Sequence, residues 1–341
     1  MSVVVLSPGI TAPGGTAAEP IRIGLVNNMP DAALRSTERQ YVELLSAAAD
    51  GLPIHLRFLC APQVRRGEAA RAHLALHYEA IKQVWDERLD GLIVTGAEPR
   101  AANIEDEPFW PDLARLCDWA ETSTTSTIWS CLAAQVAALR TGGIVRRPFG
   151  WKLSGVFPCV KATEHALLRG FAPCWTVPQT RYNDLPEQAL VAGGYRILSR
   201  LPDAGADIFV RDGQSLFVFV QGHPEYDAEA LMREYRRDVG RFLTSERDTY
   251  PGLLQGYFDE GTAAALEAFR WRALDGRDAS LADDLANILA GWRASYSWRE
   301  AAIRLYANWL SLLAERRYGT AAMPRARAEG VTSRHDVAVA P

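Results

Sequence analysis

Short apolar runs recur along this chain, each closed by a polar or glycine-bearing turn and followed by residues at helical spacing. Ile21-Arg22-Ile23-Gly24-Leu25-Val26 alternates and then runs apolar, which predicts a buried first strand. Turn chemistry follows at Asn27-Asn28-Met29-Pro30-Asp31, and Ser36, Thr37 and Glu38 predict a helix opening there and running through Leu45. Ile54 to Leu59 reads as a strand, Glu79 to Trp85 as a helix, and Leu89 to Val94 as a strand ended by Thr95-Gly96. Trp110 to Ala120 is an amphipathic helix, Thr122 to Ser126 a polar connection, Thr127 to Trp129 a buried strand and Leu132 to Leu139 a helix. Strands alternating with helices predict an α/β, doubly wound, mostly parallel sheet. Ligands of such sheets bind beyond the carboxyl ends of the strands, which directs attention to Thr95 to Arg100 and to Cys131.

Beyond Gly142-Gly143 the periodicity changes. Lys152 to Phe157, Ile197 to Leu201, Asp207 to Val210 and Ser215 to Val220 predict short strands, with a hairpin turn at Arg211-Asp212-Gly213-Gln214. A helix follows over Ala228 to Leu243. Three more are predicted over Ala263 to Leu274, Ser280 to Ala294 and Ser297 to Arg317, with Trp271, Trp292, Trp298, Tyr306 and Trp309 packing them onto the core. The resulting organisation is a disordered arm at residues 1–20, a core at 21–260, a C-terminal helical extension at 261–318 packed on that core, and a disordered tail at 319–341.

Composition narrows the function classes. The chain has 341 residues and a formal charge of −4, with both signs mixed along it, so it carries no electrostatic footprint for nucleic acid. No apolar run is long enough for a bilayer, and the Pro-, Gly-, Ala- and Thr-rich start lacks the basic segment of a signal peptide. Five cysteines without paired spacing point to reduced thiols and a cytoplasmic protein. With no CxxC and no Cys/His cluster, no metal site is expected.

The candidate chemistry sits at strand ends. Cys131 stands where a strand turns into a helix, so unpaired N–H groups and the helix dipole favour a thiolate, and the N–H of Leu132 points at any oxyanion beside the sulfur. This is the layout of a nucleophile elbow; a buried structural cysteine is the alternative. The run Leu216 to Val220 ends at Gln221-Gly222-His223-Pro224-Glu225-Tyr226. In an extended segment His223 and Glu225 face the same way, so the carboxylate holds one ring nitrogen while the other faces Cys131. Arg233, Arg236, Arg237 and Arg241 form a basic helix face whose simplest reading is solvation.

Cys131 with Gln135, together with Gly222-His223-Pro224-Glu225, resembles the class I glutamine amidotransferase fold and its Cys-His-Glu triad. Further stretches narrow the resemblance: Asn28-Met29-Pro30 with Thr37-Glu38 and Gln40, Asp90 to Ala97, Lys152 to Val156, His165 to Phe171, Arg181-Tyr182, Gly222 to Asp227 and Asn308-Trp309-Leu310. As a set, from about Ile21 to Tyr318, they resemble the homoserine O-succinyltransferase family of methionine biosynthesis. The match is weaker between Arg247 and Ser297, where extra helical sequence intervenes.

The resemblance implies an acyltransferase that moves a succinyl group from succinyl-CoA to the hydroxyl of L-homoserine through a thioester on Cys131, with ping-pong kinetics. His223 is then the general base and Glu225 its orienting partner. Lys152, Thr180 and Arg237 fall on amino-acid-binding positions, where the family has a serine in place of Thr180. The oxyanion is expected to meet the backbone N–H of Leu132 and one from the turn around Ala97. Arg100 falls at the position that sorts acyl donors, where glycine goes with succinyl-CoA and glutamate with acetyl-CoA. An arginine there suits the free succinyl carboxylate; the alternative is that it points to solvent. The expected partners are small-molecule substrates and a second copy in a homodimer, with no bound cofactor, metal, nucleic acid or membrane. Rival readings keep the chemistry with acetyl-CoA or serine, or make the chain a glutaminase subunit or a non-catalytic regulator.

Overall fold

The structure, a computed structural model of the chain, describes residues 3–6, 19–97, 99 and 101–319. In chain order its first half comprises β1 (Val3–Leu6), β2 (Ile21–Val26), α1 (Asp31–Ala48), β3 (Ile54–Cys60), α2 (Glu68–His77), β4 (Tyr78–Ala80), β5 (Leu89–Val94), α3 (Trp110–Ser123), β6 (Thr124–Ser130) and α4 (Leu132–Gly142). The middle holds β7 (Arg147–Lys161), β8 (Cys174–Asp184), α5 (Glu187–Ala192), β9 (Arg196–Ile197), β10 (Ser199–Leu201), β11 (Gly205–Ala206), β12 (Ile208–Arg211) and β13 (Leu216–Val220). Four helices close the fold: α6 (Ala230–Leu243), α7 (Glu260–Asp275), α8 (Leu281–Ala290) and α9 (Arg299–Tyr318).

The main sheet runs β1-β3-β2-β5-β6-β13-β12-β9, with β4 beside β3. Every pairing from β1 to β13 is parallel, while β12 and β9 are antiparallel. This is the doubly wound, mostly parallel sheet that the chain's periodicity predicts. β5 and β13 are buried at every position, as central strands covered on both faces must be. Ile93, Ile128 and Val218 face one core with α1 and α9, whereas Leu92, Val94, Trp129, Phe217 and Phe219 face the other with α3 and α4. A smaller antiparallel sheet, β11-β10-β7-β8, stands beside the strand ends.

The C-terminal helix α9 is part of the main core. A Cβ added to Gly91 would lie 2.7 Å from the Trp309 ring and 2.8 Å from Leu313, so the glycine is what lets α9 settle on the sheet. Trp309 Nε1 donates to Ser126 Oγ at 3.0 Å, and Arg317 donates to both Asp90 carboxylate oxygens at 2.7–2.8 Å. α7 and α8 instead join α6 and the segment around Tyr250 and Tyr257 in a separate cluster. The extra helical sequence therefore backs α6, a helix of the site described below.

Several local expectations change. Within the expected arm, Val3–Leu6 is an edge strand parallel to β3, because Val-Val-Val-Leu satisfies its backbone only by pairing. The rest of that arm, apart from residues 19 and 20, lies outside the described residues, as does the expected tail from residue 320 on. Helix α1 opens at Asp31, right after Pro30, and not near Ser36; Thr37 is buried within it. Glu79–Trp85 is helical only over Ile81–Val84, as a single 3-10 stretch; the α-helix is α2 upstream, and Tyr78–Ala80 pairs with β3. The expected polar connection at 122–126 is the end of α3 at 122–123 and the start of β6 at 124–126, where buried Thr124 Oγ1 bonds Ala120 O and Ser215 Oγ, each at 2.8 Å. Trp271 is 63% exposed and packs no helix on the core; Trp292, Trp298, Tyr306 and Trp309 are buried. Among the described residues no helix is long and apolar enough to cross a membrane, and no cluster of His, Cys, Asp and Glu is placed to hold a metal ion.

Candidate active site

The carboxyl ends of β5, β6 and β13 meet at one cavity of about 480 Å³. Cys131 is the corner between β6 and α4. Its φ of 51° and ψ of −111° are costly for a residue with a Cβ, and its N–H donates to Val220 O at 2.7 Å, which clamps the corner to β13. Because α4 starts at the next residue, the Leu132 N–H has no intrahelical acceptor. The turn after β5 comes close to it: a Cβ on Gly96 would stand 3.3 Å from Leu132 N. Leu132 and Ala97 line the cavity beside Cys131, as does the 99-position proline, Pro99. Cys131 is partly accessible, whereas Cys117 and Cys159 are buried and their thiols pushed up by that burial.

His223 follows β13 and is seated by the smaller sheet, its N–H donating to Pro178 O at 2.9 Å. Gly222 before it is confined: an added Cβ would lie 2.6 Å from Gln179 Nε2 and 2.7 Å from Val177. Nδ1 of His223 is 2.8 Å from Glu225 Oε1, and both side chains are buried. Among the described residues Nε2 has no hydrogen-bond partner of ordinary length, yet the Cys131 sulfur is near enough to act on the ring's charge. Burial by itself lowers the imidazole; the Glu225 carboxylate and the Cys131 sulfur oppose it and prevail, raising His223 well above its ordinary value. Behind Glu225 lie the buried hydroxyls of Tyr41 and Tyr306, held protonated first by burial and then by that carboxylate.

The far wall belongs to α6 and the β7–β8 hairpin. Thr180 Oγ1 donates to Glu234 Oε2 at 2.7 Å, Lys152 Nζ lies 2.8 Å from Asp238 Oδ2 and 3.6 Å from Glu234 Oε2, and Arg237 donates to Asp238 Oδ1 at 3.0–3.2 Å. Burial alone would raise both carboxyls, but Lys152 and its neighbours hold Glu234 and Asp238 below the usual carboxylate range. Those carboxylates in turn outweigh desolvation and raise Lys152. The cluster is therefore charged at neutral pH.

Cys131, His223, Lys152, Thr180 and Arg237 thus surround one cavity, with Glu225 one hydrogen bond behind it. Arg241 also lines it, so the basic face of α6 is not simply solvated; Arg236 is exposed and Arg233 pairs with Asp227 at 2.6 Å. Arg100 lies outside the described residues. Sequence reasoning missed Tyr226, Glu234 and Asp238. A signal existed: 234, 237, 238 and 241 recur at i, i+3, i+4 and i+7, one polar stripe on a helix.

The site stands on a mostly parallel α/β sheet, with a cysteine corner after one strand and a histidine and a glutamate at the end of the adjoining one. A glutamine amidotransferase structure from Thermotoga maritima superposes at a TM-score of 0.47 and 13% identity, over 87% of this chain and 99% of that one. A family model described as homoserine O-succinyltransferase matches residues 11–279. Homoserine O-succinyltransferase of Methylorubrum extorquens is 46% identical over 310 residues, covering 89% of this chain and 92% of that one; the enzyme of that name from Rhodopseudomonas palustris is 47% identical over 298 residues, 87% and 90%. The chain belongs to the homoserine O-succinyltransferase family.

Proposed function

We propose that this protein transfers a succinyl group from succinyl-CoA to the hydroxyl of L-homoserine, by way of a thioester on Cys131, in methionine biosynthesis. The observation that carries the mechanism is the strained Cys131 corner facing a His223 whose other nitrogen is held by Glu225 at 2.8 Å. The sulfur attacks the thioester carbonyl. The developing oxyanion is met by the Leu132 N–H and by one from the turn at Gly96-Ala97. The bond from carbon to the CoA sulfur breaks, and His223, held in its protonated form, gives its Nε2 proton to the departing thiolate. The neutral ring then accepts the homoserine hydroxyl proton as that oxygen attacks the acyl-enzyme, and Cys131 leaves as thiolate.

The charged far wall suits a zwitterion. Arg237 and Lys152 match a carboxylate, Glu234 and Asp238 match an ammonium, and Thr180 adds a hydroxyl. Succinyl as the acyl group rests on the name of the relatives and on Arg100, whose cation complements a free carboxylate. A succinyl adduct on Cys131, detected by intact-mass analysis after mixing enzyme with succinyl-CoA alone, tests the scheme. Its absence, or a Cys131→Ser variant with most of its activity intact, rules the thioester out.

A further inference from the structure

We propose that the adenosine bisphosphate end of the CoA donor binds in a second cavity beside the site, between Trp151, Tyr182 and Arg247. This deepens the acyl-transfer reading and rests on it. In a two-step transfer through one cysteine, the CoA sulfur leaves from the position that the acceptor oxygen later takes. The CoA arm therefore exits over the acceptor wall, past Lys152 and Thr180, and not back over the acyl pocket. In that direction the structure opens a second cavity of about 330 Å³, which shares Lys152, Tyr182, Asp238 and Arg247 with the first.

Its features match a nucleotide. Trp151 is 64% exposed yet braced, its ring stacked on Phe149 at 6.0 Å and 29°, with the Arg181 guanidinium on Phe149 at 4.9 Å. A large aromatic held firm at the surface is a ready platform for a base. Arg247 donates to the Tyr182 hydroxyl, and its guanidinium lies 5.9 Å from that ring. Arg277 Nη2 holds the Arg247 loop through Asp248 O at 2.7 Å. The second cavity itself is lined by two cations, Lys152 and Arg247, against one carboxylate, Asp238, a balance that suits an anion. Arg247 is 3.5 Å from Asp238, a pairing loose enough to be shared with a phosphate.

The test compares two donors on the full-length enzyme: succinyl-CoA, and succinyl-pantetheine thioester, which lacks the nucleotide. Trp151→Ala is expected to raise KM for succinyl-CoA about tenfold while leaving KM for the pantetheine thioester and for homoserine unchanged. Arg247→Ala is expected to lose discrimination between the two donors in the same direction. Calorimetry with adenosine 3′,5′-bisphosphate gives a readout independent of turnover: wild type binds, and Trp151→Ala binds about tenfold more weakly. Equal effects on both donors, or unchanged binding of the bisphosphate by Trp151→Ala, overturn the inference and leave the acyl-transfer reading standing. Failure of wild type to bind CoA or to react with any acyl-CoA overturns both.

Discussion

The ring of Tyr226 lies 4.3 Å from that of His223, inclined by 24°, and its hydroxyl donates to Glu234. One side chain thus touches the imidazole with its face and the charged wall of α6 with its edge. Tyr226→Phe keeps the stack and removes only the link to Glu234. It is expected to raise KM for homoserine a few-fold with kcat largely kept, whereas Tyr226→Ala, which frees the ring, lowers kcat as well. Steady-state kinetics on the pair separates the two roles.

Glu225→Gln keeps the shape of the triad and removes the charge that holds His223. By analogy with other histidine-orienting carboxylates, kcat is expected to fall about 10²–10⁴-fold. Glu225 is one of the two groups that raise His223 against burial, so its loss also moves the alkaline limb of single-turnover CoA release to lower pH. The sign for stability follows. A raised folded-state histidine contributes stability below its unfolded value, and loses it as pH rises through the folded value. The stability gap between wild type and variant is therefore widest near about pH 6 and narrows above neutrality, as denaturation at several pH values will show.

Lys152→Met leaves Glu234 and Asp238 facing one another with less cation between them. Breaking a largely buried ion cluster on one side costs about 3–5 kcal/mol. Both carboxyls are held low in the folded state, so their stabilisation is present above their unfolded values and lost as pH falls through the folded ones. Urea titration is expected to show a large deficit at pH 7 that shrinks below about pH 4.

Gly91→Ala tests whether α9 is structural. The added methyl meets the Trp309 ring and Leu313 at under 3 Å. Overpacking of this kind costs about 1–3 kcal/mol. The midpoint of urea unfolding should drop while activity per folded molecule is retained, since Gly91 and Trp309 lie outside the cavity.

Arg100→Glu addresses the acyl group. On the proposed pairing of Arg100 with the succinyl carboxylate, a glutamate reverses the charge, and the ratio of kcat/KM for succinyl-CoA over acetyl-CoA is expected to fall at least tenfold. An unchanged ratio in competition assays would remove Arg100 from donor selection.

The chain by itself carried the sheet class, the cysteine corner and the histidine–glutamate pair, because each is written in neighbouring residues. Apolar runs ended by turns mark parallel strands, and Ser130-Cys131-Leu132 and His223-Pro224-Glu225 hold their chemistry within three residues. Local pattern failed where a partner distant in sequence decided the outcome. Thr124 to Ser126 reads as polar linker, yet it is strand because Ser215, Leu216 and Trp309 satisfy its hydroxyls. Val3–Leu6 became a strand because β3 left an edge for it. Glu234 and Asp238 were invisible as site residues for the same reason: a carboxylate on a helix is ordinary until Lys152 and Thr180, more than fifty residues away, are brought against it. Hydrogen-bonding and charge demands are properties of single residues, and sequence shows them. Which group meets each demand depends on how the two sheets and α6 are set around the cavity, and that only the tertiary structure decided.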